Sequence, residues 1–410
     1  MRILVMEITL TGARRGVHIM KALKVLGHSI YYLANVPVAR AGDPGSFSMR
    51  EREDGILAIE VPNPCRLMAW KGIAARLVIQ LLNTLLFTLA VLKNLRSLRH
   101  VDIIIARGMH PFTEPPAILL KLLSKAALVL DVCDPLAEEL EVLNVNKAIK
   151  LALAIADAVI NTFIYATADA IMTHNASMVK FIRKFTRKKI HPIYNPIDTM
   201  CFHPMEKEVA FSKLRGVLPV EELEGKFVVL YAGYIGPCQD LGRVLDSAKL
   251  LRDDVVVVIQ GVGEEKELLA ERARREGIRN VLFWPFVPWE LMPYVLNLAD
   301  ACLLPLRDIP AFSAALPKKF YEYIASGKPV ICFCPRGEVT ALVERWRAGV
   351  AVDPDDIKGF SEALNRLSEQ PELVAEMGRN ARRMAELLFS LERIGRRLDG
   401  LLREICRTRV

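Results

Sequence analysis

The chain has 410 residues, too many for one hydrophobic core to serve well, and its length predicts two domains. With 52% hydrophobic and 25% charged residues the composition excludes a disordered chain, and the net charge of +8 asks for an anionic partner: nucleic acid, an anionic membrane surface or a phosphorylated substrate. Eight scattered cysteines show no zinc-type spacing, and no charged, apolar, cleavable leader precedes the first strand at Arg2, so a cytoplasmic protein with reduced thiols is expected.

Arg2 to Met6 reads as a short buried strand, followed by a loop over Thr9 to Arg15, an amphipathic helix from Val17 to Leu26 ended by Gly27, and a strand from His28 to Leu33. This is the opening β-loop-α-β unit of an open parallel sheet. Arg14 and Arg15, between Gly12 and Gly16, are candidates to meet an anionic acceptor; a plain surface loop is the other reading. Leu77 to Leu92 is apolar except at Gln80, Asn83, Thr84 and Thr88, and basic residues flank it (Arg66, Lys71 and Arg76 before, Lys93, Arg96 and Arg99 after). Its sixteen residues fall short of the roughly 20 that span a bilayer. Two readings stand: a helix buried in the first domain, or peripheral membrane contact through 66–99 with Trp70 and the basic flanks as anchors, which would make the acceptor lipid-linked.

Val101 to Ala106 is a strand that runs into His110, and Ala127 to Asp131 is another that runs into Asp134. Ligands of doubly wound sheets bind outside the carboxyl ends of strands, which makes His110 a candidate site residue. Asp131 and Asp134 lack a third ligand type, so loop hydrogen bonds are preferred to a metal. Lys147 to Thr167 is a second long apolar helix and Ala170 to Thr173 a further strand. The basic patch Arg183, Lys184, Arg187, Lys188 and Lys189 has only Phe181 and Phe185 interleaved, so a solvated face or lipid headgroups are expected there and nucleic acid is not. A polar stretch from Met205 to Lys226 separates the domains, taken as 1–204 and 205–390, with 391–410 as a final helix.

The second domain restarts with a strand from Lys226 to Ala232 that runs into Gly233, Gly236 and Asp240, then a helix from Gly242. A glycine-bearing turn between strand and helix lets a diphosphate approach the backbone. Gly261 and Gly263 follow the strand Val255 to Gln260 but lack the third glycine and the later acid of a dinucleotide fingerprint. A short strand and a Trp284-Pro-Phe-Val287 turn, a helix from Glu290 to Leu298 and a strand from Ala299 to Leu304 come next. Pro317 suits the start and Gly327 the end of a helix over Pro317 to Ser326, with a buried strand over Val330 to Phe333. Lys318 and Lys319 sit at the positive end of that helix, where each charge costs a few tenths of a kcal/mol unless an anion is bound there. Glu322 lies one turn on, placed to accept sugar hydroxyls; the plain alternative is a weak surface pair of Lys318 with Glu322. Asp353, Asp355 and Asp356 precede a helix from Ile357, so capping is preferred to metal binding.

Leu306 to Phe312 (LRDIPAF) and Leu316 to Ile331 (LPKKFYEYIASGKPVI) resemble the donor-site helix of retaining, nucleotide-sugar-dependent glycosyltransferases of the GT-B fold, family 4, most closely the fucosamine-transferase-like branch with its Pro-x-Lys-x-Phe-Glu-Tyr-x-Ala-x-Gly-x-Pro-Val pattern. The resemblance implies an α/β GT-B architecture: two Rossmann-like, doubly wound parallel-sheet domains facing a central cleft, the last helix crossing back to the first. It implies metal-independent transfer of a hexosyl or N-acetylhexosaminyl group with retention, no cofactor beyond the nucleoside-diphosphate sugar, UDP favoured over GDP, and a lipid-linked or glycan acceptor. Donor contacts fall on Gly233, Gly236, Phe286, Val287, Arg307, Leu316, Pro317, Lys318, Lys319 and Glu322, with Phe286 and the Val287 backbone at the base. His110, Lys319 and Glu322 take the catalytic places, and Arg14 and Arg15 the acceptor side. Two departures stand out: the family's first glutamate falls on Ala314, and Tyr234 with Gln239 or Asp240 replaces its Arg and Lys, leaving Lys319 and then Arg307 to supply the positive charge. A catalytically silent nucleotide-sugar-binding subunit and a sugar-nucleotide epimerase are the alternatives.

Overall fold

The computed structural model describes residues 1–8, 15–35, 47–52, 54–62, 64, 73–108, 112–133 and 146–408. Arg14, His110 and Asp134 lie outside the described residues, and so does all of 66–72, Trp70 included. The chain divides into two compact units, Met1–Pro196 with Ile394–Val410, and Ile197–Arg393. The handover expected after residue 204 comes after residue 196 because the backbone of Ile197 is already spoken for. Its N–H donates to the Phe389 carbonyl at 2.8 Å and its carbonyl accepts from Leu391 N–H at 3.1 Å. The polar stretch that marked the boundary in the sequence is instead the surface of a helix, Lys207–Leu214, inside the second unit.

In the first unit the sheet is built from β1 (Arg2–Ile8), β2 (Ser29–Asn35), β3 (Met49–Glu51), β4 (Leu57–Val61), β5 (Ile103–Gly108), β6 (Ala127–Val132), β7 (Ala170–Thr173) and β8 (Ile190–Pro192). Their order is β3-β4-β2-β1-β5-β6-β7-β8, parallel throughout except for the β3–β4 hairpin edge. β1 runs two residues beyond the expected Met6, which carries Glu7 into the sheet opposite Arg107. The central strands are buried on both faces, which explains their unbroken apolar runs. On one face α1 (Arg15–Val25) packs with the final helix, whose Ile394, Leu398, Leu402 and Ile405 join Ile19 and Leu23 in one core. On the other face lie α2 (Ile73–Lys93), α3 (Leu95–Leu98), α4 (Glu114–Leu123), α5 (Lys147–Thr167) and α6 (Ala176–Ile182). Among the described residues no helix is long and apolar enough to cross a membrane.

The second unit begins with α7 (Lys207–Leu214) and alternates β9 (Phe227–Tyr234), α8 (Leu241–Ala248), β10 (Val255–Val262), α9 (Lys266–Arg275), β11 (Val281–Trp284), α10 (Met292–Leu298), β12 (Ala301–Pro305), α11 (Lys318–Ala325), β13 (Val330–Phe333), α12 (Glu338–Trp346) and β14 (Gly349–Val352). Helices α13 (Ile357–Ser368), α14 (Pro371–Met384) and α15 (Leu391–Thr408) complete the chain. The six parallel strands take the order β11-β10-β9-β12-β13-β14, so the winding reverses between β9 and β12. That reversal opens a crevice at the carboxyl ends of the two strands.

Gly261 and Gly263 shape this crevice by having no side chains. A Cβ on Gly261, whose φ is 142°, would collide with the Gly233 carbonyl oxygen, and one on Gly263 with the Ile235 carbonyl. The G-x-G therefore lets the ends of β9 and β10 close together. Gly261→Ala is expected to lower stability by about 2–4 kcal/mol through clash and backbone strain, read as a fall in the urea midpoint at unchanged m-value.

Candidate functional site

The turn after β9 and the first turn of α11 meet at the switch point of the second unit. Pro317 is extended (φ −63°, ψ 148°) and caps the helix, one place earlier than a first-turn proline, so Lys318 and Lys319 are its first two helical residues. Two tyrosines tie this helix to β9. The Tyr323 hydroxyl accepts from Ala232 N–H at 3.0 Å and donates to the Ala232 carbonyl at 3.3 Å. The Tyr231 hydroxyl accepts from Lys319 Nζ at 2.7 Å and donates to the Tyr234 carbonyl. The Lys319 ammonium also stands 3.9 Å from the centroid of the Tyr231 ring.

Gly233 admits this arrangement. Its φ is 148°, and a Cβ there would lie 2.8 Å from Lys319 Nζ. Lys319 keeps part of its length accessible, yet the protein packed round its ammonium desolvates it and pushes its pKa down to about 7, against the smaller opposing pull of Glu322. Glu322 sits half-buried one turn along, 3.9 Å from Lys318, too far for a tight pair. A desolvated ammonium with no carboxylate pair among the described residues, at the positive end of a helix and beside a glycine turn, is arranged to receive an anion.

The remaining donor candidates fall round the same turn in different ways. Arg307 is exposed, and its N–H donates to the Cys238 carbonyl at 3.0 Å, which places it beside the Gly236 turn. The Gly236 N–H is engaged by the Gln239 side chain at 3.3 Å, so Gln239, where the resemblance had led to a cation, holds the turn's shape. Leu316 and Val287 are buried and can meet a ligand only through their backbones, whereas Phe286 is 64% exposed at the end of β11. Sequence reasoning missed Tyr231 and Lys266. Lys266 Nζ bonds the Gly261 carbonyl at 2.9 Å and the Trp284 carbonyl at 2.7 Å, tying the end of β10 to the Phe286 turn. A lysine opening the helix right after a G-x-G was the available signal. A cavity of about 610 Å³ also lies in this unit, but it is lined by Phe227, Asp300 and Lys328 at the amino-terminal edge of the strands and shares no residue with the turn.

The switch point of the first unit, between β1 and β5, holds a buried ion network instead of a free cation. Arg15, expected on the acceptor side, forks onto Asp131 at 3.0 and 2.9 Å and reaches Asn195 Oδ1 at 2.9 Å. Arg107 pairs with Glu7 and, at 3.3 Å, with Asp131. Desolvation pushes Asp131 up, but the Arg15 and Arg107 guanidiniums outweigh it and hold its pKa below the ordinary carboxylate value. Desolvation wins at Glu7, whose pKa is raised despite Arg107 and the Tyr32 hydroxyl. Asp131 thus makes structural hydrogen bonds. Likewise Asp356 caps α13 by accepting from Gly359 N–H at 2.8 Å.

Two doubly wound units, the second with strand order reversing beside a glycine turn and a lysine-headed helix, define the GT-B fold. Residues 219–384 match the family described as glycosyl transferases group 1. The chain is 27% identical over 187 residues to the alpha-D-kanosaminyltransferase of Streptomyces kanamyceticus, covering 45% of this chain and 47% of that one. It is 34% identical over 173 residues to the D-rhamnosyltransferase WbpZ of Pseudomonas aeruginosa, covering 42% and 43%. The chain spans about half the length of the curated relatives it matches. A crystal structure of the HepE protein of Anabaena in complex with UDP superposes with a TM-score of 0.72 over 98% of this chain and 100% of that one at 16% identity, a likeness of fold.

Proposed function

We propose that the protein transfers a hexosyl or N-acetylhexosaminyl group from a nucleoside-diphosphate sugar, UDP favoured over GDP, to a lipid-linked or cell-envelope glycan acceptor with retention of configuration. The reading belongs with glycosyltransferase family 4 and its fucosamine-transferase-like branch. The observation that carries it is the Lys319 ammonium, desolvated over Tyr231 and set against Gly233 at the switch point.

As the glycosidic bond breaks, negative charge grows on the leaving diphosphate. Lys319 and the N-terminus of α11 stand ready to stabilise it, with Arg307 beside the turn as a second cation. Glu322 accepts hydroxyl hydrogens of the donor, and Phe286 offers its exposed ring to the base. The positive charge supplied by these groups makes a metal unnecessary to the reading. In same-face attack the acceptor hydroxyl loses its proton to the departing phosphate oxygen. His110 is assigned to the donor sugar and Arg14 to the acceptor side on the resemblance alone.

Calorimetric titration of a panel of nucleoside diphosphates and their sugars tests this. One member is expected to bind at micromolar strength and to weaken about tenfold or more in Glu322→Ala, a loss of about 1.4 kcal/mol or more. No binding by any member to folded protein would sink the proposal. Ala314, in the place of the family's first glutamate, favours a second reading as a silent nucleotide-sugar-binding subunit. Slow release of free sugar from the bound donor, measured without acceptor, separates the two: a silent subunit releases none.

A further inference from the structure

Among the described residues, the helical layer of the first unit carries two apolar stripes that no other element covers. On α2, Phe87, Ala90 and Val91 enter the core, while Leu81, Leu85, Leu89 and Leu92 recur at turn spacing on the opposite side, Leu85 being 62% exposed. On α5, Ile164 and Tyr165 enter the same core, while Leu151, Ile155, Val159 and Phe163 recur every fourth residue outward, Phe163 being 69% exposed. Helices of one layer that bury one side in a shared core turn their other sides the same way.

Among the described helices of this layer the charge is one-sided. Its five helices contain only two carboxylates, Glu114 and Asp157, and both are buried. Exposed Lys93, Arg96 and Arg99 follow the outward stripe of α2. At the carboxyl end of α5, Lys188 Nζ bonds the Ala166 carbonyl at 2.7 Å and Lys121 Nζ the Thr167 carbonyl at 2.6 Å, which brings the basic segment Arg183–Lys189 to that helix end. Asp169, at the same edge, is paired with Lys121 at 2.8 Å.

We infer that this two-helix face docks on a bilayer surface rich in anionic lipid, the leucine and phenylalanine stripes entering the acyl boundary and the basic helix ends meeting the headgroups. Apolar area and like-signed charge act together in such binding. A second copy of the chain fits less well, since a two-fold contact would set the same predominantly basic helix ends against themselves. The second helix extends the contact beyond the 66–99 segment. The inference does not depend on the nucleotide site, which belongs to the other unit.

Flotation of the whole protein with vesicles of phosphatidylcholine, alone or with phosphatidylglycerol, tests it against Leu85→Gln/Phe163→Gln and against Lys93→Glu/Arg96→Glu/Arg99→Glu. Wild type is expected to float with the phosphatidylglycerol vesicles and to partition about tenfold or more weakly to phosphatidylcholine alone and in either variant, with added salt releasing it. The replaced side chains are exposed, so circular-dichroism melts and UDP titrations are expected to stay as in wild type. Failure of wild type to bind phosphatidylglycerol vesicles, or unchanged binding by both variants, would overturn the inference. So would a dimer in light scattering that the Leu85→Gln/Phe163→Gln change dissolves. If UDP fails to bind while lipid binding follows this pattern, the transferase reading falls and the docking face stands.

Discussion

Replacing Lys319 with methionine is expected to lower affinity for UDP about a hundredfold at pH 6, close to 3 kcal/mol, because the charge facing the diphosphate is lost from a desolvated place. A pH signature separates this from general damage. With a pKa of about 7 in the free protein, Lys319 is roughly nine-tenths neutral at pH 8 and must take up a proton when the diphosphate binds. Calorimetry in two buffers of different ionisation enthalpy is therefore expected to show wild type taking up nearly one proton more than Lys319→Met at pH 8, and almost none more at pH 6. Equal uptake at pH 8 would remove Lys319 from the anion site.

The same side chain has the opposite effect on the empty protein. Its folded pKa lies below the unfolded value, so below pH 7 the protein bears the whole cost of keeping the ammonium charged in its desolvated place. That cost is relieved as pH rises from about 7 towards the ordinary lysine range. Without ligand, Lys319→Met is expected to melt higher than wild type at pH 6, with a smaller difference at pH 9. A group that weakens the empty fold and strengthens the complex is the pattern of a residue kept for binding.

Asp131→Ala is expected to destabilise the protein by about 3–5 kcal/mol, since it leaves the Arg15 and Arg107 guanidiniums buried with Glu7 as their one counter-charge among the described residues. Urea denaturation followed by far-ultraviolet circular dichroism reads the loss. Asp131 has a folded pKa below its unfolded one, so its contribution is complete above the unfolded value and fades as pH falls through the folded value. Glu7 has the reverse shift and protonates first on acidification. The difference between wild type and Asp131→Ala is thus expected to shrink at acid pH. A loss below about 1 kcal/mol at neutral pH would mean that the network is not holding the ends of β1, β5 and β6 together.

Local chemistry was enough, from the sequence by itself, to determine the alternation of apolar strands with helices, the helix between Pro317 and Gly327 and the cation problem at Lys318 and Lys319. Each of these depends on residues a few positions apart: β-branched runs make strands, and a proline and a glycine bracket a helix. The candidate site was legible to the same extent, as a glycine turn at 233–236 and a charged helix start.

What only the tertiary structure decided depends on residues far apart in the chain. Tyr231 meets Lys319 across 88 positions, and that pairing distinguishes Lys319, desolvated beside Gly233, from Lys318 in solvent. In the sequence Arg15 is a loop arginine open to an anionic acceptor or to solvent, because Asp131 lies 116 residues away and only the sheet brings them together. Gly261 and Gly263 carried no meaning until the strand beside them showed what a Cβ would strike. The apolar helices α2 and α5 offered the sequence no inside or outside, since nearly every side of each is hydrophobic. Packing on the sheet chose the buried face and left the other to water, or to whatever surface the protein meets.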